Sequence, residues 1–179
     1  MRTSVIISAF ILQIFSFTNL YSQTKQINCS DISILQELSV DDKNWFTNHA
    51  KEVIEYNKIK NPEFRKRFYC PPTELHFADN CEFPFDYFNV KYYLGMLYYD
   101  PKIKLILESN TDNLSLKKNP KITIIRVENA KKIFLFYGIT SERIEIIDLK
   151  DTWPIDNNKT KVGRENNKYV RMKLSTNEE

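Results

Sequence analysis

The sequence predicts an α+β fold, with N-terminal helices packed on an antiparallel, curved β-meander. Three observations carry this. Apolar residues recur at three- and four-residue spacing between Asp41 and about Lys60, the signature of an amphipathic helix. From Tyr87 onward the period falls to two, and β-branched and aromatic residues become dense. The connectors between these later segments are short, which favours antiparallel neighbours because parallel ones need a long crossover.

The elements follow in order. Residues 30–38 suit a short helix, capped by Ser30 or Asp31, with Ile34, Leu35 and Leu38 on one face. Asp41 and Asp42 open the long helix, where acidic side chains complement the exposed N–H groups. Trp45, Phe46, His49, Ala50, Val53 and Tyr56 form its stripe, with His49 read as a core or boundary residue. Asn61-Pro62 stops that helix and starts a short one over Glu63–Phe68. The basic run Arg65-Lys66-Arg67 then reads as a solvated helix end. Tyr87–Tyr99 reads as a long aromatic strand. Lys102–Glu108, Lys121–Val127, Lys132–Tyr137, Arg143–Leu149 and Lys168–Leu174 read as further strands. Residues 128–131 and 138–142 supply turns, and Ser109–Pro120 and Asp151–Asn167 are polar loops. A cystatin-like or NTF2-like roll has this order of elements.

Composition narrows the function classes. The chain has 179 residues, 42% hydrophobic and 27% charged, the profile of one ordinary globular domain. Only 3 Gly disfavour glycine-rich phosphate loops, and 2 His limit histidine-based metal sites. Residues 1–23 carry Arg2, an apolar run from Val5 to Phe17 and a small residue at Ser22, the anatomy of a secretory signal peptide. The mature domain then spans 24–174, with a frayed tail at 175–179. Losing Arg2 takes the net charge from +3 to about +2. That is too little for nucleic-acid binding, and cleavage leaves no membrane span. The expected location is periplasmic or extracellular.

An oxidising compartment makes a disulfide the default for Cys29, Cys70 and Cys81. Cys70 and Cys81 flank a short loop, Pro71 to Asn80, that contains two prolines and reads as irregular, and joining them would stabilise by roughly 3 kcal/mol. Read as metal ligands, Cys70, His76, Asp79 and Cys81 match no standard zinc spacing, so no metal or cofactor is expected. Glu74 and His76 would share a face in a strand, where a carboxylate can orient an imidazole, and are the candidate catalytic pair. On the supposed aromatic strand, Tyr87, Asn89, Lys91, Tyr93 and Tyr99 combine flat rings with amide and ammonium donors, and are the candidate ligand face.

No reaction motif emerges. The leading expectation is a small exported binding protein without its own catalysis, inhibitor- or immunity-like, whose partner is another protein or a small organic ligand. The alternatives are an exported hydrolase using Glu74 and His76, and a structural subunit of an extracytoplasmic assembly.

Overall fold

The computed structural model describes residue 29 and residues 32–60, 73–85 and 89–176. The expected signal peptide, the Glu63–Phe68 helix with its basic run, and Cys70 lie outside these. After a 3₁₀ turn at Ile32–Ile34, the chain forms α1 (Val40–Lys60), β1 (Thr73–His76), α2 (Val90–Tyr99) and β2 (Ile103–Asn110). It continues through α3 (Asn113–Lys118), α4 (Ile122–Phe136), β3 (Ile144–Lys150), α5 (Lys161–Asn166) and β4 (Tyr169–Thr176).

The α+β class stands, but the sheet is not a curled antiparallel meander. It is a four-stranded mixed sheet in the order β1-β4-β2-β3. β4 runs antiparallel to both β1 and β2, while β2 and β3 are parallel. A parallel pair needs a crossover, and α3 and α4 supply it. This corrects the strands expected at Lys121–Val127 and Lys132–Tyr137, which are one helix. Its buried residues, Ile122, Thr123, Arg126, Val127, Ala130, Ile133 and Phe134, form a single helical stripe. The supposed turn at 128–131 supplies Glu, Ala and Lys, which are good helix formers.

Tyr87–Tyr99 is likewise a helix where it is described. It is buried at Val90 and along Tyr93–Leu97, so burial alone shows no strand-like alternation. An almost wholly apolar segment satisfies both periods, so tertiary packing decides. The predicted loops also hide α3 and α5, and β1 lies inside the stretch read as irregular. The strands expected near Lys102, Arg143 and Lys168 are present with small shifts at their ends.

α1 begins with a reciprocal cap. The Ser39 hydroxyl accepts from the Asp42 amide at 3.0 Å, and the Asp42 carboxylate accepts from the Ser39 amide at 3.2 Å. The Ser39 hydroxyl also donates to the Asp42 carboxylate at 2.7 Å, and this bond, with the one from the Ser39 amide, holds the Asp42 carboxyl below its ordinary pKa. Ala50 is buried, but Trp45 is exposed and stacks on an exposed His49 at 5.3 Å. His49 is therefore a surface residue, not part of the core.

The helices cover one face of the sheet. Leu75, Leu105, Leu107, Val170 and Met172 form the strand side of that core, with Leu94, Leu97, Ile133 and Phe134 from the helices. The opposite face carries cross-strand ion pairs, Glu74 with Arg171 at 3.1 Å and Glu108 with Lys173 at 2.5 Å. α1 and α2 approach so closely at Gly95 that a Cβ there would lie 2.5 Å from the Phe46 carbonyl oxygen. Gly95→Ala should lower unfolding free energy by about 1–3 kcal/mol in urea denaturation. An unchanged midpoint would mean the helices are not in this contact.

Cys81 is bonded to Cys29, not to Cys70. The stretch before Cys81 holds the extended strand β1, so it is not the irregular loop that a Cys70–Cys81 bridge presumed. Closing a chain separation of 52 stabilises by about 4 kcal/mol in the chain-entropy model. A non-reducing digest should yield a Cys29–Cys81 peptide pair, with Cys70 open to alkylation. A Cys70–Cys81 pair would restore the expectation from sequence.

Candidate functional site

The C-terminal ends of β1 and β2 and the start of β4 lie side by side, because His76 and Asn110 both pair with Tyr169. Four charged side chains gather there: Arg126 from α4, Lys168 before β4, Asp112 after β2 and Asp79 after β1.

Arg126 lies on the buried stripe of α4, so the helix turns its guanidinium into the protein, where the residue is 1% exposed. Nε donates to the Cys81 carbonyl at 3.0 Å, Nη1 to Thr111 Oγ1 at 3.1 Å and Nη2 to the Ala78 carbonyl at 3.2 Å. The guanidinium carbon stands 5.0 Å from the Phe77 ring centroid. Burial brings its pKa down to about 10, against the opposing pull of Asp112, Asp79 and Glu82. It is still cationic at neutral pH. Both carbonyls belong to one turn, closed by Cys81 N to Ala78 O at 3.1 Å and passing through Asn80 at φ 58°. Asparagine is among the few residues that tolerate that left-handed backbone.

Asp112 is equally buried. Its Oδ1 accepts from the Leu114 and Ser115 amides at 3.0 Å each, and Oδ2 accepts from the Ser115 hydroxyl. It is the N-cap of α3. Lys168 Nζ lies 3.8 Å from Asp112 Oδ2 and contacts Asp79 Oδ1. The Lys168 side chain is 4% exposed, whereas that of Asp79 is 65% exposed. The hydrogen bond from Lys168 holds the Asp79 carboxyl below its ordinary range. Two acids and two bases thus balance in charge, with only Asp79 facing solvent.

A second polar network secures the strand ends from the other side. Asn110 donates to the Asn167 carbonyl at 3.1 Å and accepts from the Trp153 amide at 3.1 Å. Asn167 Oδ1 accepts from the Ile155 and Asp156 amides, and Tyr169 donates to the Trp153 carbonyl. These bonds pin the 151–160 loop over the end of the sheet.

Neither a family model nor a curated protein matches the sequence. Solved structures do match. The peptidoglycan-associated lipoprotein from Burkholderia pseudomallei aligns with TM-score 0.52 and 15% identity, over 66% of this chain and 98% of that one. The fold is OmpA-like. The periplasmic domain of Helicobacter pylori MotB aligns at TM-score 0.40 and 20% identity, over 44% of this chain, which spans 54% of that domain. A putative MotB-like protein from Desulfovibrio vulgaris aligns at TM-score 0.46 and 14% identity, over 76% of this chain and 97% of that one.

The OmpA-like arrangement disperses the residues that the sequence singled out. Tyr87 lies outside the described residues. Asn89 precedes α2 and Lys91 is half-buried on it. Tyr93 is fully buried with its hydroxyl donating to the Met172 carbonyl at 2.9 Å, and Tyr99 packs against the core. On a helix these side chains do not form one flat face. Glu74 and His76 do share a face of β1, but Glu74 is bonded to Arg171 at 3.1 Å. Cys81, held in the disulfide, offers no thiolate to a metal.

Sequence reasoning missed Asp112, Arg126 and Lys168, and passed over Asp79 except as a metal ligand. One signal was present: Arg126 is the sole charge in the run Ile122–Val127. Arg126→Met would strand two carbonyls and leave Asp112 with less compensation. It should destabilise the protein by roughly 3 kcal/mol or more in chemical denaturation. A loss under about 1 kcal/mol would mean that the guanidinium does not hold the turn.

Thr123, one turn before Arg126, buries a hydroxyl with no partner among the described residues. Thr123→Val keeps the shape and removes that unsatisfied group, so it should stabilise by about 1 kcal/mol. Thermal unfolding of the two proteins checks this, and a lower midpoint in the variant would reveal a partner for the hydroxyl.

Proposed function

We propose that this protein binds peptidoglycan and acts as a non-catalytic structural component of the cell envelope. The observation that carries the reading is the charge-balanced quartet of buried Arg126, Lys168 and Asp112 with exposed Asp79, at the sheet end of a fold shared with a peptidoglycan-associated lipoprotein. Peptidoglycan stem peptides carry free carboxylates and, on their diamino acid, a free ammonium. A site that holds an enclosed ammonium, Lys168, against anions suits the carboxylates of such peptides, because a ligand carboxylate there meets an opposite charge in a largely desolvated setting. The N-terminal segment supports the same reading, since an exported chain meets the wall polymer. Among the three classes raised by the sequence, the structural subunit is the nearest to this function.

The test is co-sedimentation of the purified protein with intact peptidoglycan sacculi. The protein should pellet with them and return to the supernatant when excess free stem peptide is added, while an uncharged glycan oligomer leaves it bound. Protein that stays in the supernatant, or pelleted protein that free stem peptide does not release, would overturn the reading.

A further inference from the structure

We propose that Asp79 is an internal stand-in for a ligand carboxylate. Lys168 is the carboxylate subsite of the wall-binding site, and an incoming acid takes the place of Asp79 on its ammonium. This rests on the peptidoglycan reading and refines it.

Three of the four charged groups are fixed. Asp112 spends both oxygens on the start of α3. Arg126 spends three donors on Thr111 and the 78–81 turn. Lys168 is enclosed, its side chain 4% exposed. Asp79 differs, since its side chain is 65% exposed and, among the described residues, its ion pair is with the Lys168 ammonium.

The backbone beneath Asp79 is held separately, by Arg126 on either side of the turn and by the Cys29–Cys81 bridge. The carboxylate can therefore rotate to solvent with the turn unmoved. A buried ammonium needs an anion in contact, and Asp112 stands off at 3.8 Å. A ligand carboxylate entering where Asp79 leaves keeps the balance of charge. Asp79 thereby sets both the chemistry of the ligand and its affinity, because every binding event must first break this ion pair. The pair is partly exposed and correspondingly weak.

Calorimetric titration of a free stem peptide into the wild-type protein, Asp79→Asn and Asp79→Ala tests this, with folding checked by circular dichroism. Both variants should bind about fivefold more tightly than wild type. A stem peptide with its carboxylates amidated should show no such gain. If wild type binds and the folded variants bind equally or more weakly, the stand-in role is wrong and the peptidoglycan reading survives. If none of the three folded proteins binds, the peptidoglycan reading fails and this inference fails with it.

Discussion

Burying a guanidinium is costly unless its N–H groups find acceptors, and the end of this sheet is shaped by that requirement. Arg126 cannot avoid the interior, because the stripe that anchors α4 to the sheet passes through it. The loop after β1 answers by turning two carbonyls inward, at Ala78 and Cys81, with Asn80 taking a left-handed conformation to do so. Thr111, just past the end of β2, completes the set. One side chain thus ties α4 to the ends of two strands that are not neighbours in the sheet. The disulfide then fastens the same turn to the N-terminal segment.

That clamp explains why charged residues accumulate around it. A buried cation favours nearby anions, and Asp112 and Asp79 both act on Arg126. Two anions call for a second cation, which Lys168 provides from the start of β4. The result is a neutral cluster whose inner members are committed to the fold and whose outer member faces water. In the proposed function, stability and recognition share the site.

The strands were legible where alternation was clean. Ile103, Leu105 and Leu107 against Lys104 and Glu108 mark β2, and the structure buries that side. The long helix was legible from its stripe and its acidic start. α2 and α4 were not, because isoleucine, phenylalanine and tyrosine crowd both faces and satisfy either period. Reading α4 as two strands removed the crossover, and with it any route to the parallel β2–β3 pair. β1 was too short, at 4 residues, to show a period. The site suffered from the same error. Arg126 stands out as a lone charge in an apolar run only once that run is a helix with one inward face. Asp79 and Lys168 are distant in sequence and meet only through the pairing of β1 with β4.

The proposed function requires the charged end of the sheet to receive the anionic group of a wall peptide. A crystal structure of the protein grown with free stem peptide tests it most directly. The peptide carboxylate should lie within hydrogen-bond distance of Lys168 Nζ, with Asp79 turned to solvent and Arg126 still on the Ala78 and Cys81 carbonyls. Peptide bound elsewhere, with the Lys168–Asp79 contact intact, would contradict it.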